Sequence, residues 1–280
     1  MQVNSEKKYN ILILSNPENE EFIEDEYIAN SFREDGHLVT ILWVNYDEKL
    51  DEKFDIIIRR NTWVEKEEEK IKYKLMNSKL EKRLKEKSIK TVNLEGLDGR
   101  GKEYLCKLYN EGRKVIPTVD KLKDIDRFGK TLEYVLKEKD SFGSGLGQKL
   151  VTENELEKEF KEGYLIQPKM KFESEVQCYF VGKKLMYAYE YTPSKYPDYP
   201  IPQLIELSDE QKELAYEFAK ISKLEVGFQR IDFLKLENDE LILLEIEDNS
   251  PYMDLDKLDF SFRNIVLNEY KRNIYNYLKS

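Results

Sequence analysis

Two residue types that carry much enzyme chemistry are scarce in this chain. Among 280 residues there is one histidine, His37, and there are two cysteines, Cys106 and Cys178. A single histidine excludes most zinc sites and the usual serine–histidine–aspartate machinery. Two cysteines cannot form a disulfide framework or a four-cysteine metal site, so a reducing cytoplasm is the simplest setting. Any chemistry must therefore rest on carboxylates, lysines, arginines and backbone amides.

The chain also has no long apolar run and no excess of positive charge. No run approaches the roughly 20 residues that a membrane span requires, and residues 1–10 contain no signal-peptide core. We therefore expect a cytoplasmic protein that makes no membrane contact. The 46 lysines and arginines against 56 aspartates and glutamates give a formal net charge of −10, which argues against a general nucleic-acid binder.

The residues that are present predict a folded α/β chain of about two domains, because domains average roughly 150 residues. Hydrophobic residues make up 40%, which is enough for a core. Apolar strands at 9–14, 38–44 and 54–58 surround a helix that begins near Phe22 and ends at Gly36. This order predicts a parallel α/β unit, in which ligands bind beyond the carboxyl ends of the strands.

The second part of the chain has a different pattern. Further strands are predicted at 134–137, 149–151, 165–168, 175–181, 185–191, 231–236 and 241–246. Capping motifs open helices at Thr152 and Ser208, and a last helix ends near Leu278. Residues 65–90 are dense in glutamate and lysine and are interpreted as a solvated helix, with docking of a partner as the alternative.

Several residues have a structural interpretation. His37 follows Gly36 at a helix end, which favours a surface or capping role, and Cys178 lies in a predicted strand, which favours packing in the core. Cys106 has no histidine or second cysteine near it in sequence to activate its thiol. The tyrosines of the last helix are expected to pack against the core: Tyr270, Tyr275 and Tyr277.

Three carboxylates are the strongest chemical signal. The alternation of side chains along the hairpin at 230–247 puts Asp232 on one strand and both Glu245 and Glu247 on one face of the next. Three such groups repel one another unless a cation lies between them, and oxygen ligands without histidine favour Mg²⁺ or Mn²⁺. The alternative is an exposed polar face of a hairpin.

Two further motifs suit an anion. Lys137 ends a strand and is followed by a glycine-rich loop at 141–147, whose backbone amides could approach phosphate oxygens. The loop is neither a Walker A motif nor a dinucleotide fingerprint. Lys102 opens a helix after Gly101, where an anion is also favoured. Each motif alone is weak, and their order is more informative.

The order and spacing of these motifs resemble the ATP-grasp superfamily, and more narrowly the glutathione-synthetase and RimK-like carboxylate–amine ligases with an uncharacterised bacterial branch of them. The matching segments run through most of the chain: 54–63, 101–105, 115–118, 135–147, 166–175, 230–232 and 244–251. The resemblance implies an α/β (α+β ATP-grasp) fold. It also implies a Rossmann-like parallel α/β domain over 1–98 and an ATP-grasp domain over 99–280. Within the latter, the mobile lid would cover about 115–165, and the C-terminal catalytic subdomain with its antiparallel sheet about 166–280.

The resemblance also implies site residues. For ATP they are Lys102 and Lys137 at the phosphates, Ser141 and Gly143 in the covering loop, Gln167, Lys169 and Met170 at the adenine, Glu175 at the ribose and Leu244 beneath the base. Mg²⁺, or Mn²⁺, would be held by Asp232, Glu245 and Glu247. A carboxylate would attack the γ-phosphorus, and an amine would attack the resulting acyl phosphate, with Arg230 at the oxyanion. Both substrates are expected to be small molecules, a peptide is possible, and a homodimer is common in such enzymes.

The sequence departs from the family pattern in ways that concern the substrate. Glu247 replaces the usual asparagine, and Gln177, Glu190 and Pro200 stand where related enzymes carry arginines that grip an anion. Three cations remain as candidates for gripping an anionic substrate, namely Arg60, Lys195 and Arg230. We therefore expect a less anionic, or even cationic, substrate. The alternatives are a modifier of peptide or carrier-bound substrates that docks through 65–90, and a nucleotide-binding module that has lost activity.

Overall fold

The computed structural model describes residues 7–16, 22–42, 54–60, 82, 89–94, 96–97, 101–139, 148–193, 202–249 and 251–280. Most of the predicted helix at 65–90 and the whole glycine-rich loop, with Ser141 and Gly143, lie outside these residues. So do Lys195 and Pro200.

The first part of the chain forms a parallel sheet. Its strands are β1 (Asn10–Leu14), β2 (Leu38–Leu42), β3 (Ile56–Arg59) and β4 (Lys90–Val92), and helix α1 (Phe22–Glu34) joins the first two. The strand order is β2-β1-β3-β4, and all three pairings are parallel. Strand β3 is buried along its whole length, which agrees with the unbroken apolar runs that parallel strands require.

A small antiparallel sheet lies in the middle of the chain. After helix α2 (Tyr104–Asn110), strands β5 (Glu133–Glu138), β6 (Gln148–Thr152) and β7 (Tyr164–Pro168) pair in the order β6-β5-β7. Helix α3 (Glu153–Glu159) follows β6 and begins with the predicted capping box between Thr152 and Glu155. This sheet has its own small core, which includes Leu136, Leu156 and Ile166.

The third sheet is antiparallel and has five strands. They are β8 (Ser174–Val181), β9 (Lys184–Tyr191), β10 (Gln203–Ile205), β11 (Phe228–Lys235) and β12 (Leu241–Glu247), in the order β10-β9-β8-β11-β12. Helix α4 (Asp209–Ser222) precedes β11, and helix α5 (Phe260–Lys279) ends the fold. Among the described residues, no helix combines the length and the apolar composition needed to cross a membrane.

The five-stranded sheet has two different faces. Phe233 and Leu243 pack with Phe218 of α4 on one face. On the other face, Phe228 stacks on Tyr270 of α5 with ring centroids 4.0 Å apart, and both belong to the core that also contains the parallel sheet. The parallel sheet therefore shares its core with the C-terminal part of the chain, while the exact domain limits remain a prediction.

The structure corrects the interpretation of His37. Its side chain is buried rather than at the surface, with 5% exposure, because it fits among the rings of Tyr9, Phe32 and Tyr275. The two cysteines agree with their structural interpretation. Cys178 is fully buried, and burial raises the pKa of the Cys106 thiol to about 11, so it stays protonated.

Candidate active site

Strands β11 and β12 bring the three predicted carboxylates together. Asp232 lies opposite Glu245, and Arg230 lies opposite Glu247. Oxygen atoms of Asp232, Glu245 and Glu247 lie within 4.8 Å of one another. The register shifts directly after Asp232, so that Leu244 has no residue opposite it. This bulge keeps Glu245 on the site face while Leu243 turns into the opposite core.

Three cations contact these three acids. Lys102 precedes α2 and forms an ion pair with Oε2 of Glu245, and Nζ of Lys137 on β5 lies 3.1 Å from the same oxygen. Arg230 donates two hydrogen bonds of 2.8 and 2.9 Å to Asp232, and its Nη2 lies 3.0 Å from Glu247. The cluster therefore joins residues of the small sheet, the segment before α2 and the five-stranded sheet, and its formal charges balance.

The charges in the cluster shift the pKa values of its members. Burial alone would raise the pKa of Glu245, but Lys102 and Lys137 outweigh it and hold the pKa well below its usual range. Burial raises the pKa of Glu175 to about 7, and the charges of Asp232 and Glu245 add to that rise. The charge of Glu175 therefore changes near neutral pH.

Among the described residues predicted to hold the nucleotide, Lys102 and Lys137 contact the cluster, and Glu175 is near enough for its charges to act on it. Lys137 is on β5, and Gln167 on β7 is buried, with its amide donating to the hydroxyl of Thr118 at 3.0 Å. Met170 and Leu244 are partly buried against the same apolar cluster. Lys169 points away into an ion pair with Glu133 at 2.7 Å, with about half of its side chain exposed at 49%.

Arg60 lies in a separate internal cluster rather than at an open surface. It is 2% exposed, and its guanidinium donates to Asp25 at 2.8 Å, to Glu24 at 2.9 Å and to the carbonyl oxygen of Pro251 at 2.9 Å. Burial disfavours the charged form, but the two carboxylates outweigh it and raise the pKa of Arg60. In the described contacts, the arginine that was predicted to bind substrate instead binds other residues of this protein.

The substituted positions also have partners within the chain. Glu190, which stands in place of an arginine, lies 3.1 Å from Nζ of Lys235. The side-chain oxygen of Gln177 accepts a hydrogen bond of 2.6 Å from the hydroxyl of Tyr179. Neither residue brings a positive charge to the site.

Sequence reasoning missed residues that support the cluster. The hydroxyl of Tyr104 accepts the backbone N–H of Ile246 at 2.8 Å, so it fixes β12 between its two acids. Glu24 binds backbone N–H groups of Met253 and Leu255. Neither role leaves a signal in the sequence, because Tyr104 and Glu24 meet β12 and its continuation only in the folded chain.

Comparison with known proteins gives the fold. No family model and no curated sequence matches the chain, but several solved structures do. D-cycloserine synthetase DcsG is similar with a TM-score of 0.70 and 15% identity, over 93% of this chain and 99% of that one. D-alanine–D-alanine ligase from Bacillus anthracis, complexed with ATP, has a TM-score of 0.66 and 16% identity, over 97% and 99%.

A third similar structure contains a peptide. The Chryseobacterium gregarium RiPP-associated ATP-grasp ligase, in complex with ADP and a leader and core peptide, has a TM-score of 0.66 and 15% identity, over 94% of this chain and 95% of that one. These identities are too low to transfer an activity, but the likeness spans nearly the whole of each chain. The chain therefore has the ATP-grasp fold that the order of its motifs predicts.

Proposed function

We propose that this protein is an ATP-dependent ligase that joins a carboxylate to an amine and releases ADP and phosphate. The observation that carries the proposal is the cluster in which Asp232, Glu245 and Glu247 meet Lys102, Lys137 and Arg230. Burying ionic groups on this scale costs free energy of desolvation, and binding of a charged ligand is a reason for a chain to keep them. ATP lies between β5 and β12 in this proposal, with the backbone of Gln167, Lys169 and Met170 along the adenine, Glu175 at the ribose and Leu244 beneath the base.

The donor set of the cluster fits a divalent cation. Three carboxylates whose oxygens lie within 4.8 Å of one another suit Mg²⁺ or Mn²⁺, which prefer oxygen ligands. When bound, the ion supplies positive charge that neutralises phosphate oxygens. Asp232, Glu245 and Glu247 would hold it, and the extra charge of Glu247 relative to asparagine favours tight binding.

The balance of charge implies that the nucleotide and the metal ion enter together. Lys102 and Lys137 both form ion pairs with Glu245. A triphosphate competes for these two ammonium groups and, by drawing them away, leaves Glu245 able to bind a cation. The metal ion alone would meet a neutralised site, and its affinity should depend on the nucleotide.

The residues of the site suit the two steps of the reaction. An oxygen of the substrate carboxylate attacks the γ-phosphorus, and the bond between that phosphorus and ADP breaks, which yields an acyl phosphate and ADP. Lys102 and Lys137 neutralise charge on the transferring phosphoryl group, which is the main contribution a protein makes to such a step. The amine then attacks the carbonyl carbon, Arg230 stabilises the oxyanion, and phosphate leaves as the amide forms.

The substrates are proposed to be small molecules, and the protein is proposed to act in the cytoplasm. A peptide substrate is the second candidate, favoured by the likeness to the C. gregarium ligase, whose structure holds a leader and core peptide. A module that has lost activity is disfavoured, because the three acids and their three cations form a complete cluster.

The test is release of ADP in the presence of Mg²⁺ across paired libraries of acids, amines and peptides. We expect ADP release that requires both an acid and an amine, and a product whose mass equals acid plus amine minus water. Preference for diacids would contradict a less anionic substrate. Absence of ADP release with every pair, together with failure of the protein to bind ATP, would overturn the proposed function.

A further inference from the structure

The segment at 251–255 follows the acid-bearing strand β12, which ends at Glu247, after three intervening residues, and it is held from two sides. On one side, Arg230 donates to the carbonyl oxygen of Tyr252 at 3.0 Å. On the other side, the carboxylate of Glu24 accepts the backbone N–H of Met253 at 2.9 Å. The carbonyl of residue 252 and the N–H of residue 253 belong to one rigid peptide group. One peptide group therefore connects Arg230 with Glu24, which belongs to α1.

Glu24 and Arg60 also bind the neighbouring peptide groups of this segment. Glu24 also accepts the N–H of Leu255 at 2.6 Å, and Arg60 donates to the carbonyl of Pro251 at 2.9 Å. Arg60 in turn bonds Glu24 and Asp25, and all three side chains are buried, with 2%, 0% and 0% exposure. Arg60 keeps its charge this far from water, so a displaced partner would leave that buried charge uncompensated, and the contacts around it keep a narrow geometry.

Arg230 contacts both the carbonyl of Tyr252 and two of the three clustered acids. Its guanidinium is planar, so the direction of its bond to Tyr252 also sets the direction of its bonds to Asp232 and Glu247. A shift of the Tyr252–Met253 peptide would therefore tilt the guanidinium against both acids.

We propose that Glu24 and Arg60 are positioning residues for the acid cluster. They act through the Tyr252–Met253 peptide and Arg230, and so the parallel-sheet part of the chain sets the geometry of a site on the five-stranded sheet. This inference rests on the proposed function, because it assigns Asp232 and Glu247 to the metal ion. It also gives Arg60 a different role from the substrate contact that the sequence predicts.

The decisive comparison is between Glu24→Gln and Lys271→Met. Lys271 also joins α5 to α1, since its Nζ lies 3.2 Å from the carbonyl oxygen of Ser31 and 3.0 Å from Asp35, and it is a matched control for lost stability. The dissociation constant of Mn²⁺ is measured by electron paramagnetic resonance with ADP present, at a temperature where circular dichroism shows each variant folded. We expect Glu24→Gln to weaken Mn²⁺ binding by roughly 10- to 100-fold, as loss of a residue that orients a metal ligand does, and Lys271→Met to leave it unchanged.

A double-mutant cycle shows whether the effect passes through Arg230. In an Arg230→Lys background, Glu24→Gln should weaken Mn²⁺ binding far less than in the parent protein, since the connection is already broken. If Glu24→Gln does not fold, Glu24→Asp replaces it, because this variant keeps the charge beside Arg60 but is too short to hold both N–H groups. Independent, multiplying effects of the two substitutions would overturn the proposal, as would unchanged Mn²⁺ binding in the single variant.

A crystal structure of the Glu24 variant separates this inference from the proposed function. If the parent protein binds no Mn²⁺ with ADP, the metal site fails, but the position of Arg230 still decides the positioning role. Displacement of its guanidinium from Asp232 and Glu247 supports the inference. An unmoved guanidinium overturns it, whatever the metal measurements give.

Discussion

Lys137 and Glu245 lie 108 positions apart in the chain, yet Nζ of the lysine is 3.1 Å from Oε2 of the glutamate. The two residues stand on different sheets, β5 and β12. Lys102 contacts the same oxygen, so one carboxylate is neutralised twice. The two lysines proposed to bind phosphate thus neutralise the glutamate proposed to bind the metal ion.

Removing the charge of one of these lysines should increase the affinity of Glu245 for a metal ion. We expect Lys137→Met to bind Mn²⁺ in the absence of nucleotide at least about tenfold more tightly than the parent protein. Tenfold corresponds to about 1.4 kcal/mol, which is modest for a buried charge that has lost a partner. Titration followed by electron paramagnetic resonance measures this affinity. Lys139→Met is the matched control, since Lys139 follows the same strand but pairs with Glu103 at 2.6 Å. Equal Mn²⁺ affinity in all three proteins would contradict the neutralised site.

Asp232 should be required for turnover but not for folding. Asp232→Asn keeps the shape of the side chain and removes the charge that faces Arg230 and the proposed metal ion. We expect ADP release to fall by about 10²- to 10³-fold, the range found when one electrostatic contact to a transition state is removed. Asp239→Asn is the control on the same hairpin, because φ of +63° at this position suits asparagine as well as aspartate. Full activity of Asp232→Asn would remove this carboxylate from the mechanism.

The local pattern predicted much of the fold and of the acid cluster. Alternation put Glu245 and Glu247 on one face of β12, and the predicted hairpin put Asp232 on the strand beside them. The bulge that turns Leu243 to the opposite face was not predicted. The capping box at Thr152 was also visible, since its two residues are three positions apart. The alternation and the capping box depend on residues that are close in sequence, so the sequence pattern is enough to predict them.

Contacts between distant segments could not be predicted in this way. Arg60 follows a strand end where a ligand is expected, but its buried partners Glu24 and Pro251 come from α1 and from the segment after β12. His37 looked exposed beside a glycine, yet Tyr275 of α5, 238 positions away, encloses it. Such partners are set by how the sheets and helices pack, which periodicity does not encode.

Gly227 should tolerate an added side chain far less well than Gly112. Its φ is +115°, and an added Cβ would lie 2.2 Å from Oδ1 of Asn93. The side chain of Asn93 joins the end of β4 to the start of β11, because it forms hydrogen bonds with both the N–H and the carbonyl of Phe228. It cannot move away from an added Cβ without losing these hydrogen bonds. We expect Gly227→Ala to lower the free energy of unfolding by about 1–3 kcal/mol beyond a conformational penalty of about 1 kcal/mol. Gly112→Ala, with φ of +73° and nothing within 4 Å of the added Cβ, should show only the conformational penalty. Urea unfolding measures both, and equal losses would contradict the steric argument.

His37 should make the protein lose stability as the pH falls below about 6.5. Its Nδ1 accepts the backbone N–H of Tyr9 at 3.3 Å, and its Nε2 lies 2.9 Å from the hydroxyl of Tyr275. That hydroxyl donates to Asp35 at 2.7 Å, so the neutral ring with its proton on Nε2 satisfies every partner. Burial lowers the pKa of His37 from its usual 6.5.

The sign of the pH effect follows from the lowered pKa. As the pH falls through 6.5, His37 takes up a proton in the unfolded chain more readily than in the folded chain, so the folded state loses stability. Above pH 7 the contribution of His37 to the free energy of unfolding is constant. His37→Gln can keep both hydrogen bonds without titrating. We expect the parent protein to lose more stability than this variant in thermal unfolding as the pH falls from 7 to 5.5. Parallel losses in the two proteins would mean that folding does not change the pKa of His37, and they would contradict this prediction.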